Sequence, residues 1–272
     1  MTSTDGLDWL RPSLDECRRL IADRRGPTRW TKASAREPEE TVTEIDVEVE
    51  RLLVSAIRHR DPEAAVVSEE AASDPGALTR PTCHVIDPID GTDQLVAGED
   101  GYAISVALFR SGEPAAAVMD MPALGRRFEC GHGRPTTLNG QQVTLHQVDD
   151  IPHARLAVSA TQRRNKSLDA FWQRLGAAAV VPTPAFAAKF GAVLAGDCDA
   201  ALYLGVHPLR TALWDYAAPA ILLIRAGGVF MSLDGEGLLE RRPWAYQSGW
   251  LASPVSLTGA LQRVAEHAPR AA

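Results

Sequence analysis

Apolar residues recur at helical spacing near the start of the chain. In a segment that runs from Pro12 to Arg25, Leu14, Cys17 and Ile21 share one face, and a Gly-Pro pair ends the pattern. The polar stretch Thr31 to Glu40 follows and is interrupted by a proline. We interpret this stretch as an exposed, mobile loop, with a plain connector as the alternative.

A second helical segment begins with the capping-box pattern Thr43-Glu44-Ile45-Asp46, whose first and fourth residues can satisfy backbone N–H groups at the helix start. Its apolar face continues through Val49, Leu52, Leu53, Ala56 and Ile57. Asp46 therefore lies in the first turn. An acid there is often only a cap or a partner of the helix dipole, and a role in a functional site is the alternative.

Two short apolar runs predict buried strands that end at acidic residues. The first, Ala64 to Val67, leads into Ser68-Glu69-Glu70, and the second, Cys83 to Ile86, leads into Asp87. Because the two strands lie within twenty residues of each other, their acidic ends are candidates for one site.

Two hairpins and a short helix are predicted next. Residues 102–109 and 115–119 flank a Ser-Gly-Glu-Pro turn, and residues 128–130 and 143–145 flank Asn139-Gly140. Residues 93–97 predict a short helix that ends at a glycine.

The second half of the chain alternates strands and helices, a pattern typical of a sheet that helices cover. Strands are predicted at 154–158, 180–181, 200–204 and 229–231, and helices at 168–175, 185–195 and 215–226. The change of pattern divides the chain into an N-terminal α+β half, residues 1–150, and a C-terminal α/β half, residues 151–272.

The composition excludes several classes of function. The 272 residues carry 28 Lys and Arg against 35 Asp and Glu, a net charge of −7, so a surface for nucleic acid polymers is not expected. No run approaches the ~20 apolar residues of a membrane span, and no signal peptide is recognisable, so we expect a soluble, cytoplasmic protein. The four scattered cysteines are expected to be free thiols.

The hexapeptide Asp87-Pro88-Ile89-Asp90-Gly91-Thr92 follows the second buried strand. Pro88 favours an extended Asp87, and Gly91 permits a close approach or a positive φ. Asp-Pro and Asp-Gly pairs are also ordinary turn formers. The functional interpretation is that the two repelling carboxylates share a hard divalent cation such as Mg²⁺, which prefers oxygen ligands.

With Asp46, Glu69 and Asp215, which opens a late helix behind Trp214, the hexapeptide resembles the inositol monophosphatase family of lithium-sensitive, Mg²⁺-dependent sugar, cyclitol and nucleotide phosphatases. The matching pieces, in the family's order, are VTEID, VVSEE, VIDPIDGT, NGQQV and LWDYAAPAILLIRAGG. The resemblance implies a phosphoric monoester hydrolase that forms a homodimer. It also implies the layered αβαβα sandwich of the inositol monophosphatase and fructose-1,6-bisphosphatase type.

The resemblance implies a set of metal ligands as well. Glu69, Asp87 and the backbone carbonyl of Ile89 would hold one Mg²⁺. Asp87, Asp90 and Asp215 would hold a second. Two or three ions are expected for each site, with Mn²⁺ as a substitute.

Other residues would serve the reaction. Asp46 would lie near a third, weaker metal position, and Thr92 with Glu69 would orient and deprotonate the attacking water. The N–H groups of Gly91 and Thr92 could donate to phosphate oxygens at a turn or helix start. A phosphate dianion needs added positive charge to settle among carboxylates, so the metals are expected to serve binding as well as chemistry.

Substrate contacts are predicted in two places. Ala187-Ala188-Lys189-Phe190 resembles a segment of the branch that removes the 3′-phosphate of adenosine 3′,5′-bisphosphate. Lys189 would contact a second phosphate or a hydroxyl there, and a helix-surface lysine is the alternative. The run 205–213 is longer than in most relatives, and its His207 and Arg210 either reach substrate or are solvated loop residues.

The sequence thus predicts a Mg²⁺-dependent phosphatase that acts on a small phosphorylated sugar, inositol or other cyclitol, or nucleotide. A 3′(2′),5′-bisphosphate nucleotidase is the narrower alternative. A catalytically silent protein that binds metal and ligand is the alternative from another class. The complete acidic set argues against it, because a protein freed from chemistry has little physical reason to keep repelling acids together.

Overall fold

A computed structural model describes residues 6–24, 32–33, 41–70, 74–131, 133–205, 211–241, 245–246 and 249–265. Its strands are β1 (Lys32–Ala33), β2 (Thr41–Val42), β3 (Ala65–Ser68), β4 (Thr82–Asp90), β5 (Ala103–Arg110), β6 (Glu113–Met121), β7 (Arg126–Cys130), β8 (Thr137–Leu138), β9 (Gln141–Gln142), β10 (Arg155–Ser159), β11 (Ala179–Thr183), β12 (Ala200–Tyr203), β13 (Thr211–Ala212), β14 (Gly228–Ser232), β15 (Ala245–Tyr246) and β16 (Trp250–Pro254). Its helices are α1 (Arg11–Arg24), α2 (Glu44–Arg60), α3 (Thr92–Ala97), α4 (Ala160–Arg164), α5 (Asp169–Leu175), α6 (Phe186–Leu194), α7 (Leu213–Arg225), α8 (Leu238–Arg241) and α9 (Val255–Ala265).

Five layers of secondary structure stack on one another. Helices α1 and α2 cover one face of the first sheet, α6 and α7 lie between the two sheets, and α5 and α9 cover the far face of the second. Alternation along the strands explains this arrangement, since Ile86 and Ile104 pack toward α1 and α2 whereas Val85 and Ala103 pack toward α7. The predicted αβαβα sandwich is confirmed.

The first sheet has seven strands in the order β3-β4-β5-β6-β7-β8-β9. Strands β3 and β4 are parallel, and every later pair is antiparallel. The first predicted hairpin is confirmed as β5 and β6. The parallel start matters for the site, because the carboxyl ends of β3 and β4, which carry the predicted acids, lie at the same edge of the sheet.

The second predicted hairpin has the wrong partners. Asn139-Gly140, with φ values of 50° and 85°, joins β8 to β9, and β7 pairs with β8. Residues 143–145 form no strand. Val143 and Leu145 are buried in the central core instead, so their apolar character reports burial rather than strand pairing.

The second sheet has the order β11-β10-β12-β16-β14, with β10 parallel to both of its neighbours. All strands and helices predicted for this half are present, with ends shifted by at most two residues. Strand β16 and helix α9 were not predicted. Of the predicted loop 31–40, the described residues 32 and 33 form β1, which pairs with β2, and the rest lies outside the described residues.

Two further predictions concern the cysteines and membrane spans. All four cysteines are free and buried. None of the described helices is long and apolar enough to cross a membrane.

Asp199 joins the starts of β10 and β12. Its carboxylate accepts the backbone N–H of Arg155 at 2.7 Å and the guanidinium of Arg155 at 2.9 and 3.1 Å, and Nδ1 of His146 lies 2.7 Å away. Burial raises the pKa of Asp199, but the hydrogen bonds from Arg155 and His146 outweigh burial and lower the pKa to about 2. The ionised carboxylate therefore stabilises the second sheet.

We expect Asp199→Asn to lower the free energy of unfolding by about 1–3 kcal/mol at pH 7, because the amide cannot accept all of these charge-assisted bonds. Since the folded pKa lies below that of an unfolded aspartate, the stability is present above about pH 4 and is lost as the pH falls toward 2. Urea unfolding followed by circular dichroism at several pH values measures both effects.

The neighbouring Asp197→Asn variant is the matched control. Asp197 is half exposed and pairs with Arg126 at the surface, so its loss is expected to cost less than about 1 kcal/mol. Equal losses in the two variants would contradict the role given to Asp199.

Candidate active site

An irregularity in β4 brings Asp87 and Asp90 to one site. Residues three apart in a regular strand point to opposite faces of the sheet. Here Asp87 pairs with Ser105 and Asp90 pairs with Ala103, so β4 has one residue more than β5 between the two pairs. This β-bulge turns Asp90 back toward Asp87. The predicted strand end before Asp87 is therefore wrong, because β4 continues through Asp90.

Asp215 joins the two aspartates from the start of α7. It is the third residue of that helix, and its Oδ2 accepts the backbone N–H of Ala212 at 2.5 Å. One carboxylate oxygen from each of Asp87, Asp90 and Asp215 lies within 4.8 Å of the other two. Three of the predicted metal ligands thus form a cluster, although they come from two distant parts of the chain.

Asp87 is only 1% exposed and lies among three other acids. Burial raises the pKa of its carboxyl well above the ordinary value, and the like charges of Glu69, Asp90 and Asp215 raise it further. Glu69 also shares a hydrogen bond with Asp87. Glu69 follows β3, the parallel neighbour of β4, so the sheet itself places this fourth acid in the cluster.

Glu50 organises the segment that carries Glu69, a role that the sequence did not reveal. Its Oε2 accepts the hydroxyl of Ser68 at 2.8 Å and the backbone N–H of Glu70 at 3.2 Å. Glu50 lies one turn after Asp46 in α2. That spacing places both acids on one helix face, which was the available sequence pattern.

Asp90 caps α6 from a distant part of the chain. Its two oxygens accept the backbone N–H groups of Phe186 at 3.2 Å and of Ala187 at 2.5 Å, the first residues of the helix. Burial raises the pKa of Asp90, whereas the bond from Ala187, the charge of Lys189 and the bond from Phe186 lower it. The net direction is upward, so ionisation of Asp90 is costly in the protein alone.

Gly91 connects β4 to α3 in the left-handed region, with φ of 90°. A Cβ at this position would lie 2.8 Å from Cβ of Ala185 and 3.0 Å from the carbonyl oxygen of Gly101. Both the backbone angle and the close approach therefore require glycine. The turn that ends the acidic strand is pressed directly against the residue that precedes α6.

The hydroxyl of Thr92 donates to Oδ1 of Asp46 at 2.8 Å, and the same hydroxyl oxygen lies 3.1 Å from the carbonyl oxygen of Ile89. The other oxygen of Asp46 accepts the backbone N–H of Thr43 at 2.9 Å, which confirms the capping box. Burial raises the pKa of Asp46. The sequence grouped Thr92 with Glu69, whereas the structure places its hydroxyl on Asp46.

Lys189 lies inside the protein, with 5% of its surface exposed. Its ammonium donates to the carbonyl oxygens of Pro184 at 2.7 Å and of Ala185 at 2.8 Å. Burial lowers its pKa to about 8, although the charge of Asp90 opposes this shift. The alternative of a helix-surface lysine is therefore wrong. The other predicted substrate contacts, His207 and Arg210, lie outside the described residues, and substrate contact stays a prediction for all three.

The donor set fits a hard divalent cation. Mg²⁺ takes carboxylate and carbonyl oxygens, which are the groups gathered here. In the described part of the chain, Oδ1 of Asp87 is buried and has no hydrogen-bond partner. Such an oxygen is costly to bury without a partner, and a bound cation would supply one.

The chain belongs to a class of phosphatases, the phosphoric monoester hydrolases of small phosphorylated substrates. More narrowly, the chain belongs to the inositol monophosphatase family, whose sequence profile matches residues 15–268. Metal dependence is general in this family. The resemblance identified from the five sequence pieces is confirmed.

Individual relatives agree with this assignment. The inositol-1-monophosphatase of Bacillus subtilis (strain 168) is 29% identical over 203 residues, which cover 73% of this chain and 75% of the relative. The solved inositol monophosphatase of Thermotoga maritima superposes with a TM-score of 0.81 at 22% identity over 96% of each chain. Staphylococcal IMPase-II, solved with inositol monophosphate and with 2′-AMP, has a TM-score of 0.75 at 17% identity and covers 95% of this chain and 93% or 92% of its own. The structural likenesses show the fold.

We expect Asp87→Asn to raise the Tm of the metal-free protein by about 3 °C or more, because it removes one of four repelling charges. The variant should also lose most of the Tm increase that Mg²⁺ gives the unchanged protein, since a ligand stabilises a protein by an amount that grows with the logarithm of its affinity. Scanning calorimetry in EDTA and in excess Mg²⁺ measures both changes.

The Tm difference between Asp87→Asn and the unchanged protein should depend on pH. A carboxyl whose pKa is raised by folding contributes stability below about pH 4 that is lost as the pH rises through the folded pKa. In EDTA the advantage of Asp87→Asn should therefore grow with pH. A difference in Tm that stays constant from pH 4 to pH 8 would contradict the assigned repulsion.

We expect Gly91→Ala to lower the free energy of unfolding by more than Gly98→Ala does. Gly98 has a similar φ of 75°, but a Cβ there meets nothing within 4 Å, so it measures backbone strain alone, about 1–2 kcal/mol. The clash with Ala185 adds to that strain at Gly91. Urea titration of both variants gives the comparison, and equal losses would show that the close approach is unimportant.

Proposed function

We propose that this protein is a Mg²⁺-dependent phosphatase that hydrolyses the phosphate monoester of a small sugar, cyclitol or nucleotide by direct attack of water. The observation that carries the proposal is the convergence of Glu69, Asp87, Asp90 and Asp215 around a buried carboxylate oxygen that has no hydrogen-bond partner among the described residues. A dianionic substrate would be repelled by this cluster unless cations offset its charge.

The family resemblance suggests two positions for Mg²⁺. Glu69, Asp87 and the carbonyl oxygen of Ile89 would hold one ion, and Asp87, Asp90 and Asp215 would hold the other. The carbonyl oxygen of Ile89 lies 3.1 Å from the hydroxyl oxygen of Thr92, so the first position would lie close to Thr92. When bound, the ions supply Lewis acidity that lowers the pKa of water and offsets charge on the phosphate and the leaving oxygen.

The residues of the chain itself position the nucleophile and the phosphate. Because Thr92 donates its proton to Asp46, its oxygen keeps lone pairs free to accept a hydrogen from the attacking water. Asp46, whose pKa is raised by burial, is then a suitable acceptor for the proton that water loses. The N–H groups of Gly91 and Thr92, at the turn into α3, would donate to phosphate oxygens.

The natural substrate is a narrower question than the reaction. Staphylococcal IMPase-II binds both inositol monophosphate and 2′-AMP, so the shared fold is compatible with both substrate classes. For this chain we propose the phosphatase of small phosphorylated metabolites, with the 3′(2′),5′-bisphosphate nucleotidase as the narrower form. The homodimer, the cytoplasmic location, substitution by Mn²⁺ and a third ion near Asp46 stay predictions.

The test is phosphate release from a panel of sugar, inositol and nucleotide phosphates, with Mg²⁺, with Mn²⁺ and in EDTA. We expect turnover that requires the metal and that Asp90→Asn nearly abolishes while the protein stays folded. Thr92→Val, which keeps the shape of the side chain, should lower kcat by about 10²–10⁴-fold with a small change in KM. Thr92→Ser is the control, because it keeps the hydroxyl and should keep most of the activity.

Other outcomes have clear meanings. Turnover that is unchanged in Asp90→Asn would contradict the proposed metal role. If no substrate is turned over while phosphorylated ligands and Mg²⁺ still raise the Tm, the protein is a silent metal-dependent binding protein instead.

A further inference from the structure

We infer that Lys189 is a positioning residue, whose ammonium fixes the Pro184-Ala185 segment so that the start of α6 holds Asp90 in place. The inference rests on the proposed function, since it assigns a role within the same site. It also differs from the contact with a second phosphate that the sequence suggested for this lysine.

The first step is the position of the Lys189 ammonium. Lys189 is the fourth residue of α6, and its ammonium reaches back to the carbonyl oxygens of the two residues that precede the helix, Pro184 and Ala185. Helical side chains lean toward the N-terminus, so this geometry is accessible without strain. Two of the three ammonium N–H groups are used by the backbone, and 5% of the residue is exposed.

The second step is that the same backbone segment controls Asp90. The peptide N–H groups that follow Ala185, those of Phe186 and Ala187, are the donors that bind both oxygens of Asp90. A shift of the segment would therefore move both donors together. The ammonium of Lys189 binds carbonyl oxygens of this turn, and the carboxylate of Asp90 accepts hydrogen bonds from its N–H groups.

The third step is the tight packing of the segment against two glycines. A Cβ on Gly91 would lie 2.8 Å from Cβ of Ala185, and a Cβ on Gly101 would lie 2.4 Å from Cγ of Pro184. The segment is thus confined both by the two glycines and by the ammonium of Lys189. This arrangement leaves little freedom for the donors that face Asp90.

The fourth step is electrostatic. A cation in the first turn of a helix opposes the helix dipole, and burying it costs solvation free energy. The two carbonyl oxygens and the charge of Asp90 offset these costs. An apolar residue would fill the same space without the cost of removing a charge from water. The buried ammonium therefore indicates an electrostatic role toward Asp90.

The experiment compares Lys189→Met with Lys166→Met, the control at an exposed lysine. Turnover of inositol monophosphates and of nucleoside bisphosphates is measured at saturating Mg²⁺, and the Tm is measured in EDTA and with Mg²⁺. We expect Lys189→Met to lower kcat at least tenfold, by the same factor for both substrate classes, and to reduce the Tm increase given by Mg²⁺. Lys166→Met should change neither.

Two results would overturn the inference. A loss confined to bisphosphates, with an unchanged Mg²⁺ response, would make Lys189 a substrate contact. A larger Mg²⁺ response in Lys189→Met would show that the ammonium mainly repels the ions. If the unchanged protein shows neither Mg²⁺-dependent turnover nor a Mg²⁺-dependent Tm, the proposed function fails separately.

A double-mutant cycle without metal tests the link to Asp90 independently of activity. Lys189→Met should lower the Tm in EDTA clearly less in the Asp90→Asn background than in the unchanged background, because the partner charge is already gone. Equal decreases would reduce Lys189 to a packing role and overturn the inference. Lys189→Gln, which keeps a donor, replaces Lys189→Met in the cycle if the latter does not fold.

Discussion

The fold holds four carboxylates close together against their mutual repulsion. Asp87 is almost fully buried, and three other acids raise its pKa by their charge. In the protein alone this arrangement opposes folding, since each ionised group makes the next one more costly. Backbone N–H groups hold Asp90 and Asp215 in place against that repulsion. Bound cations would offset the negative charges and relieve this repulsion. Cation binding would therefore stabilise the fold at the site of the proposed chemistry.

Local features of the backbone position each acid in the cluster. The bulge in β4 turns Asp90 to the face of Asp87, and the parallel start of the sheet sets Glu69 beside it. The capping box of α2 leaves one oxygen of Asp46 for Thr92. The site therefore draws on the starts of four helices, α2, α3, α6 and α7, and on the ends of strands β3 and β4. Backbone groups at helix starts are still available to bind side chains. Ala187 and Leu213, at the starts of α6 and α7, belong to the buried central core.

How far the sequence predicted these features depended on whether the controlling interactions were local. Thr43 and Asp46 share one helical turn, so the sequence predicted their capping box. The ordered acidic pieces identified the family and suggested a ligand set. The bulge could not be predicted from the sequence, because it is defined by the register between β4 and β5. The partner of Thr92 and the burial of Lys189 likewise depend on packing between distant segments. Apolar runs such as residues 143–145 indicated burial without indicating the element that buries them.

Anomalous scattering from crystals soaked in Mn²⁺ shows whether the acidic cluster holds divalent cations. We expect two anomalous peaks about 3.5–4 Å apart, with Asp87 between them. Asp90 and Asp215 should contact one of the peaks, and Glu69 the other. An anomalous map with no peak inside the cluster, in crystals that show Mn²⁺ elsewhere or none at all, would contradict the account.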